Sequence, residues 1–303
     1  MTPAAAPAVL SATHRRFALS DLNFALPDFT SNLSLNLALV RLLREEPALF
    51  REGVRIDSVY GSFPRCRANG GRTHLGLQYA DEKIRATFAA LNDAGAKARL
   101  TFTNMFADEA MLRDDPYVRS ILDIASDFDV EVIVYADEVA DYLRNNYPFR
   151  LVLSTTRGIS DVETLNAALE RFDYVVLDYN RNKDRDFLSR VSRPERLEVM
   201  VNELCVPGCT ARQRHYEYES RRQLGESLPP FEGCKRNHED IFDLFDGPVV
   251  LTNEDVTRLR DDYGIRYFKV VGRGRRHDAL LANLLYYLAA PGCEDDIRRR
   301  LDI

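Results

Sequence analysis

From residue 54 onward the chain alternates between short β-branched runs and stretches of helical pattern, and this rhythm limits the folds open to it more than any other feature. The runs cover residues 54–60 (VRIDSVY), 99–102 (RLTF), 130–135 (VEVIVY), 150–154 (RLVLS), 174–177 (YVVL), 197–201 (LEVMV), 248–251 (PVVL) and 266–271 (RYFKVV). Runs this short and apolar suit strands covered on both faces, as in a parallel sheet. Between them, 80–94 opens on acids and stops before Gly95, and 116–128 begins on a proline suited to a first helical position. Residues 137–145 begin with a capping Asp137, 160–171 carry Ser160 and Glu163 in capping-box spacing, 253–262 put acids in the first turn, and 278–289 are apolar enough to pack on a barrel. Eight strand–helix units predict an α/β fold of the (β/α)8 TIM-like barrel type. An open doubly wound sheet is the competing fold, but no glycine-rich phosphate loop follows the first strand. Residues 1–13 read as a disordered lead-in and 14–303 as one domain. Within it 14–50 form an N-terminal extension, where 33–43 read as an amphipathic helix able to plug the lower end, and 54–290 form the barrel.

The formal charge is −6, from 41 Lys+Arg against 47 Asp+Glu. That balance disfavours a protein that coats nucleic acid, although it leaves room for a local contact. Apolar runs fall far short of the roughly 18 residues that span a bilayer, so no membrane role is expected. The basic pair Arg15-Arg16 follows the Ala/Pro-rich start, whereas a secretory signal places its charge first. A cytoplasmic location is the expectation, and there thiols stay reduced. The five cysteines are odd in number and unevenly spaced, unlike a disulfide framework.

A barrel of this type carries chemistry where strands end and βα loops begin. That rule predicts a mouth lined by Tyr60, Asn104, Asp137, Thr155, Thr156, Asp178, Asn180, Asn202, Glu203, Glu254 and Arg273. Helix capping is the competing and favoured role for Asp137, Asn253 and Glu254. Directly after the run at 197–201 come Cys205 and Cys209, with Pro207 and Gly208 bending the chain between them. Cys234 follows Pro229, Pro230 and Gly233, and Cys66 lies in the turn-rich segment 61–72. Four cysteines thus fall in predicted mouth loops. Four thiolates suit an iron–sulfur cluster and soft sulfur also suits zinc, so cluster, zinc site and redox thiols all stay open on spacing. The Cys-x3-Cys spacing fits a cluster better than the closer pairs usual in structural zinc sites. A radical adenosylmethionine enzyme would need a further Cys where Arg212 stands, and its cluster loop follows the first strand. Cys66 must reach across the mouth to join the others. Failing that, three ligands would leave an open iron site, with His215 as a substitute ligand or, the favoured role, a surface or substrate-contacting residue.

Three basic groups flank these loops: Arg65, Arg67 and Arg72; Arg212, Arg214, His215, Arg221 and Arg222; and Arg273, Arg275, Arg276 and His277. Glu217 and Glu219 interleave the second, so a charged helix face accounts for it equally well. Gly272 and Gly274 would let backbone amides approach a carboxylate or phosphate in the third. Together they predict a small anionic substrate.

The motif Asn202-Glu203-x-Cys205-x3-Cys209 with Arg212 and His215-Tyr216 resembles the collagenase-like peptidase family, unassigned-peptidase family thirty-two. So do the close from Asn253-Glu254-Asp255 to Tyr263-Gly264-Ile265 and Phe268-Lys269 … Gly272-Arg273, and the first-strand loop with Tyr60-Gly61 and Gly71-Arg72. The resemblance covers most of 54–275 and is to the short type. It implies a barrel-like domain, a [4Fe–4S] cluster in some members, oxygen-independent hydroxylation in ubiquinone synthesis or on RNA bases, and paired subunits, hence a homo- or heterodimer. On it rests the leading expectation: an iron–sulfur oxidoreductase or hydroxylase acting on a small anionic metabolite, with an unidentified electron donor. Cys66, Cys205, Cys209 and Cys234 would hold the metal; Glu203, His215 and Glu254 would move protons. Tyr60, Arg72, Asn202, Arg214, Lys269 and Arg273 would orient the substrate. Cys293 is a bystander. The alternatives are a zinc-dependent hydrolase or peptidase, for which the chain has no His-Glu-x-x-His, a non-catalytic cluster-bearing partner subunit, and an RNA-base hydroxylase.

Overall fold

The computed structural model describes residues 21–71, 76–235, 241–273 and 276–302. The lead-in at 1–13, Arg72, Gly274 and Arg275 lie outside the described residues. In chain order the elements are β1 (Leu22–Pro27), α1 (Leu33–Glu45), β2 (Val54–Gly61), α2 (Asp81–Ala94), β3 (Lys97–Phe102), α3 (Glu109–Asp114), α4 (Pro116–Ala125), β4 (Val130–Val134), α5 (Asp137–Asn146) and β5 (Arg150–Leu153). They continue as α6 (Val162–Arg171), β6 (Tyr174–Val176), α7 (Arg185–Ser189), β7 (Leu197–Met200), α8 (Arg212–Gln223), α9 (Asn253–Tyr263), β8 (Tyr267–Lys269), α10 (His277–Leu288) and α11 (Glu294–Arg300). Every strand pairs in parallel with its sequence neighbours. Asn23 opposite Tyr267 and Ala25 opposite Lys269 join β1 to β8, closing the barrel.

The predicted barrel is therefore present, with its start displaced. The first strand is β1, inside the segment read as an extension, and α1 packs beside α2 and β2 as the first crossover helix instead of plugging the lower end. The sequence LNFALP has no β-branched residue, which is why it did not stand out. Conversely, 248–251 forms no strand. It docks as a bent segment beyond β7: Leu251 N donates to Val201 O (2.9 Å), and Asn182 Nδ2 donates to Val249 O (2.7 Å). The cap of α6 is Asp161, which accepts from Thr164 N, instead of Ser160; Asp137 sits one position inside α5.

Apolar side chains between strands and helices make the main core, and a smaller group fills the barrel: Ala25, Tyr60, Ile133, Val152, Val176 and Met200. The barrel interior is usually filled by branched aliphatic layers. Here it also holds a fully buried Arg99, ion-paired to Glu131 (2.5 Å) and, more closely, to Glu198. Lys97 bridges Asp57 (2.7 Å) and Glu131 (3.4 Å), Arg150 reaches Glu131 (3.3 Å), and Lys269 reaches Glu198 (3.6 Å). Burial alone would raise the Glu131 carboxyl; Arg99, Lys97 and Arg150 outweigh it and hold the group at about 2.

Candidate active site

At the C-terminal end of the barrel a cavity of about 90 Å³ opens above this charged interior. Its floor and one wall are Tyr60, Thr101, Ile133, Met200, Lys269 and Arg273. The Tyr60 hydroxyl donates to Val270 O (2.9 Å), which fixes the ring. Over that ring sit two cations, with Lys269 Nζ 3.9 Å and Arg273 Cζ 5.6 Å from its centre. A ring face attracts cations, so Tyr60 holds both without neutralising either. Arg273 also donates to Thr101 Oγ1 (3.0 Å) and Asn69 Oδ1 (3.4 Å). Burial pushes the Lys269 ammonium down to about 8; Glu198 opposes the change, while the positive charges of Arg99 and Arg273 add to it.

The helix α8 roofs the cavity, placing Arg212, His215, Tyr216 and Glu219 on its rim, with Glu203 beside them. Glu203 is tied on both oxygens: one accepts from Cys205 N (3.0 Å) and the other pairs with Arg212 (2.9 Å). Arg212 stacks over Tyr179 (4.2 Å) and Tyr216 (5.0 Å). Gln213 donates to Thr156 O (2.9 Å), so the helix start is fastened to the loop after β5. His215 lies 3.7 Å from Glu219 and stacks on Phe231 (4.7 Å). The other end of α8 is held by the loop after β2. Gln223 Nε2 donates to Cys66 O (2.9 Å), and Asn104 Nδ2 donates to Arg67 O (3.0 Å) and Ser220 O (3.1 Å). Gly71 makes that closeness possible. Its φ is +100°, and a Cβ there would stand 2.7 Å from Glu219 Cβ.

Of the residues expected at the mouth, Tyr60, Glu203, His215, Lys269 and Arg273 line the cavity together with Thr155 and Thr156. Others go elsewhere. Asn104 fastens α8, Asp137 pairs with Arg157 (3.0 Å) and Arg171 (2.8 Å), Asp178 accepts from Asn180 N (2.8 Å), and Asn180 Oδ1 accepts from Gly208 N (2.8 Å). Asn202 is buried and clamps two strand ends, donating to Val271 O (2.8 Å) and accepting from Val271 N (2.6 Å). Glu254 is exposed in the first turn of α9, where acids complement the helix end. Arg214 faces a separate open groove with Tyr218, Leu228 and Phe231. The interior residues Arg99, Glu131 and Glu198 were not anticipated, although each is a charge inside a run of apolar residues, the signal that would have found them.

A four-thiolate centre needs its sulfurs turned to one point. Cys66 is completely buried, and burial pushes its thiol up to about 11 despite a hydrogen bond with Ser62. Its loop docks on Gln223 at one end of α8, whereas Cys205 and Cys209 precede the other end, where Arg212 N donates to Cys209 O (3.3 Å). Those ends are about 16 Å apart along the helix axis. Cys234 is exposed and Cys205 half-buried. Among the described residues, no three His, Cys, Asp or Glu side chains gather into a group that could hold a metal ion. In this arrangement the four cysteines do not fit one centre, cluster or zinc. Among the described residues no helix is long and apolar enough to cross a membrane.

No family model and no curated protein matches the chain. Among solved structures, the U32 peptidase Mk0906 is similar over 84% of this chain and 94% of its own, at 16% identity and a TM-score of 0.52. The Bacillus cereus spore cortex-lytic enzyme SleL is similar over 88% of this chain and 74% of its own, at 10% identity and a TM-score of 0.44. The likeness to Mk0906 is one of fold.

Proposed function

We propose that this chain is an enzyme that takes a small anionic molecule into the barrel mouth and transforms it by acid–base chemistry. The observation that carries the reading is the pair Lys269 and Arg273, both against the Tyr60 ring and both lining the cavity at the end of the barrel where chemistry is done. Arg273 presents a planar fork suited to a carboxylate or phosphate, and Lys269 supplies a group that titrates near neutrality. A cavity of about 90 Å³ is well below the 300 Å³ or more of sites for larger ligands. Size therefore favours a compact metabolite. Glu203, His215 and Glu219 on the rim are further acid–base groups.

A hydrolytic reaction is the second reading, favoured by the fold shared with a U32 peptidase. The anion would then be the terminal carboxylate of a short peptide or a comparable acid. The iron–sulfur oxidoreductase reading draws no support from the placement of the cysteines.

Calorimetric titration with small carboxylates and phosphates tests the proposal. Loss of a charge-assisted hydrogen bond is worth about 1.5–3 kcal/mol, so Arg273→Gln should weaken binding about 10- to 150-fold. If no member of the panel binds, or if binding ignores both Arg273→Gln and Lys269→Gln, the reading fails. Release of amino acids from di- and tripeptides, abolished by the same substitutions, is the result expected of the hydrolytic version.

A further inference from the structure

Among the groups around the cavity, Lys269 is placed unlike the rest. It ends β8 with its amine inside the barrel, and its side chain is 10% exposed, opening on the cavity. Its nearest carboxylate, Glu198, lies 3.6 Å away and is engaged more closely by Arg99. A second cation, Arg273, shares the Tyr60 ring. An amine that is desolvated and crowded by another cation is the environment that turns a lysine into a nucleophile toward carbonyl carbon. The cavity also provides a guanidinium fork for a carboxylate next to such a carbon.

We propose that Lys269 forms an imine with the carbonyl carbon of a small 2-oxo acid whose carboxylate is held by Arg273. The inference rests on reading the mouth as an anion site. Nζ, having released one proton, attacks the carbonyl carbon; the C–N bond forms and the π electron pair moves to oxygen. A proton passes from nitrogen to that oxygen to give the carbinolamine. The C–O bond then breaks, and oxygen departs as water after taking back the first proton. Of the three ammonium protons two leave in water and one stays on the iminium nitrogen, so the positive charge is conserved. No oxidant, reductant or metal is required. Glu198 beneath the amine and Glu203 and His215 on the rim are the groups that could carry the moving proton. The iminium beside a bound carboxylate is an electron sink, and it fits this site to carbon–carbon bond cleavage or formation next to the carbonyl.

The test is reductive trapping on the full chain. Glyoxylate or pyruvate is added with sodium cyanoborohydride near neutral pH, followed by intact mass measurement and peptide mapping. The expected product carries the acid less one water plus two hydrogens, on Lys269, with Lys83, Lys97, Lys183 and Lys235 labelled more slowly. Lys269→Arg cannot form an imine, so it should lose the adduct. If the wild-type chain binds either acid but mapping finds Lys269 no faster than the other lysines, the imine is refuted and the anion site stands. If neither acid binds and no adduct forms on Lys269, imine and anion reading for these acids fail together. Mapping on the wild-type chain decides the matter even if the variant does not fold.

Discussion

Replacing Arg99 by Met probes the charged interior most directly. Arg99 is fully buried, and so are Glu131 and Glu198, the carboxylates it pairs with. The substitution keeps roughly the same length and removes the charge. Glu131 retains Lys97 at 3.4 Å and Arg150 at 3.3 Å, but Glu198 is left with Lys269 at 3.6 Å. Breaking one partner from a buried ion pair costs about 3–5 kcal/mol, a large share of a usual folding stability of about 5–15 kcal/mol. With a urea dependence near 3 kcal/mol per molar, the unfolding midpoint should fall by about 1–1.7 M. The pH dependence gives a second check. In the wild-type chain Glu131 is held at about 2, below its unfolded value of roughly 4.3, so its stabilisation is present above that value and fades as pH falls toward 2. Without Arg99 the balance at Glu131 shifts toward burial, which favours the protonated form. Any rise of the Glu131 value toward the unfolded one removes part of a stabilisation that is fully present above about 4.3 and lost as pH falls toward 2, so the deficit should be larger at pH 7 than at about pH 3. Circular dichroism in urea at both pH values measures it. A midpoint within about 0.3 M of wild type, or a deficit equal at the two pH values, would refute the reasoning.

Three further outcomes are expected. Gly71→Ala should lower stability by about 1–3 kcal/mol in thermal melts, because φ is +100° and the new Cβ meets Glu219; an unchanged melting temperature would show that the loop yields freely. With an aromatic disulfide reagent at pH 8, exposed Cys234 should react at once and Cys66 only after unfolding, since its thiol is buried and pushed up to about 11; prompt labelling of Cys66 would contradict its placement. If anaerobic reconstitution with iron and sulfide yields a coloured protein, Cys66→Ala should leave the spectrum unchanged, and bleaching would show that Cys66 leaves the core to bind metal.

The barrel was legible because strands covered on both faces leave short apolar runs, and seven of the eight runs read from the sequence became strands. The exceptions have physical causes. In β1, Leu, Phe and Ala do the covering that β-branched residues do elsewhere, and 248–251 spends its backbone bonds on the end of β7 instead of on a ladder. The mouth was legible where strand ends coincide with inward positions, as at Tyr60, Lys269 and Arg273. Asn202 and Glu203 are adjacent in sequence, yet one turns to the backbone of its neighbour strand and the other to the rim. Spacing along a chain does not carry that direction. Nor could it place Cys66, whose loop is drawn down by Gln223 and Asn104 to one end of α8 while Cys205 and Cys209 precede the opposite end.

The two-ended fastening of α8 bears on timing. A roof pinned at Thr156 on one side and at Cys66 and Asn104 on the other cannot swing on a single hinge, so a guest wider than the open rim would exchange only through a fluctuation that breaks several bonds together. Toward guests of that size the site would be slow to release. Its selectivity would be expressed in residence time, with dissociation as the step on which related guests differ most.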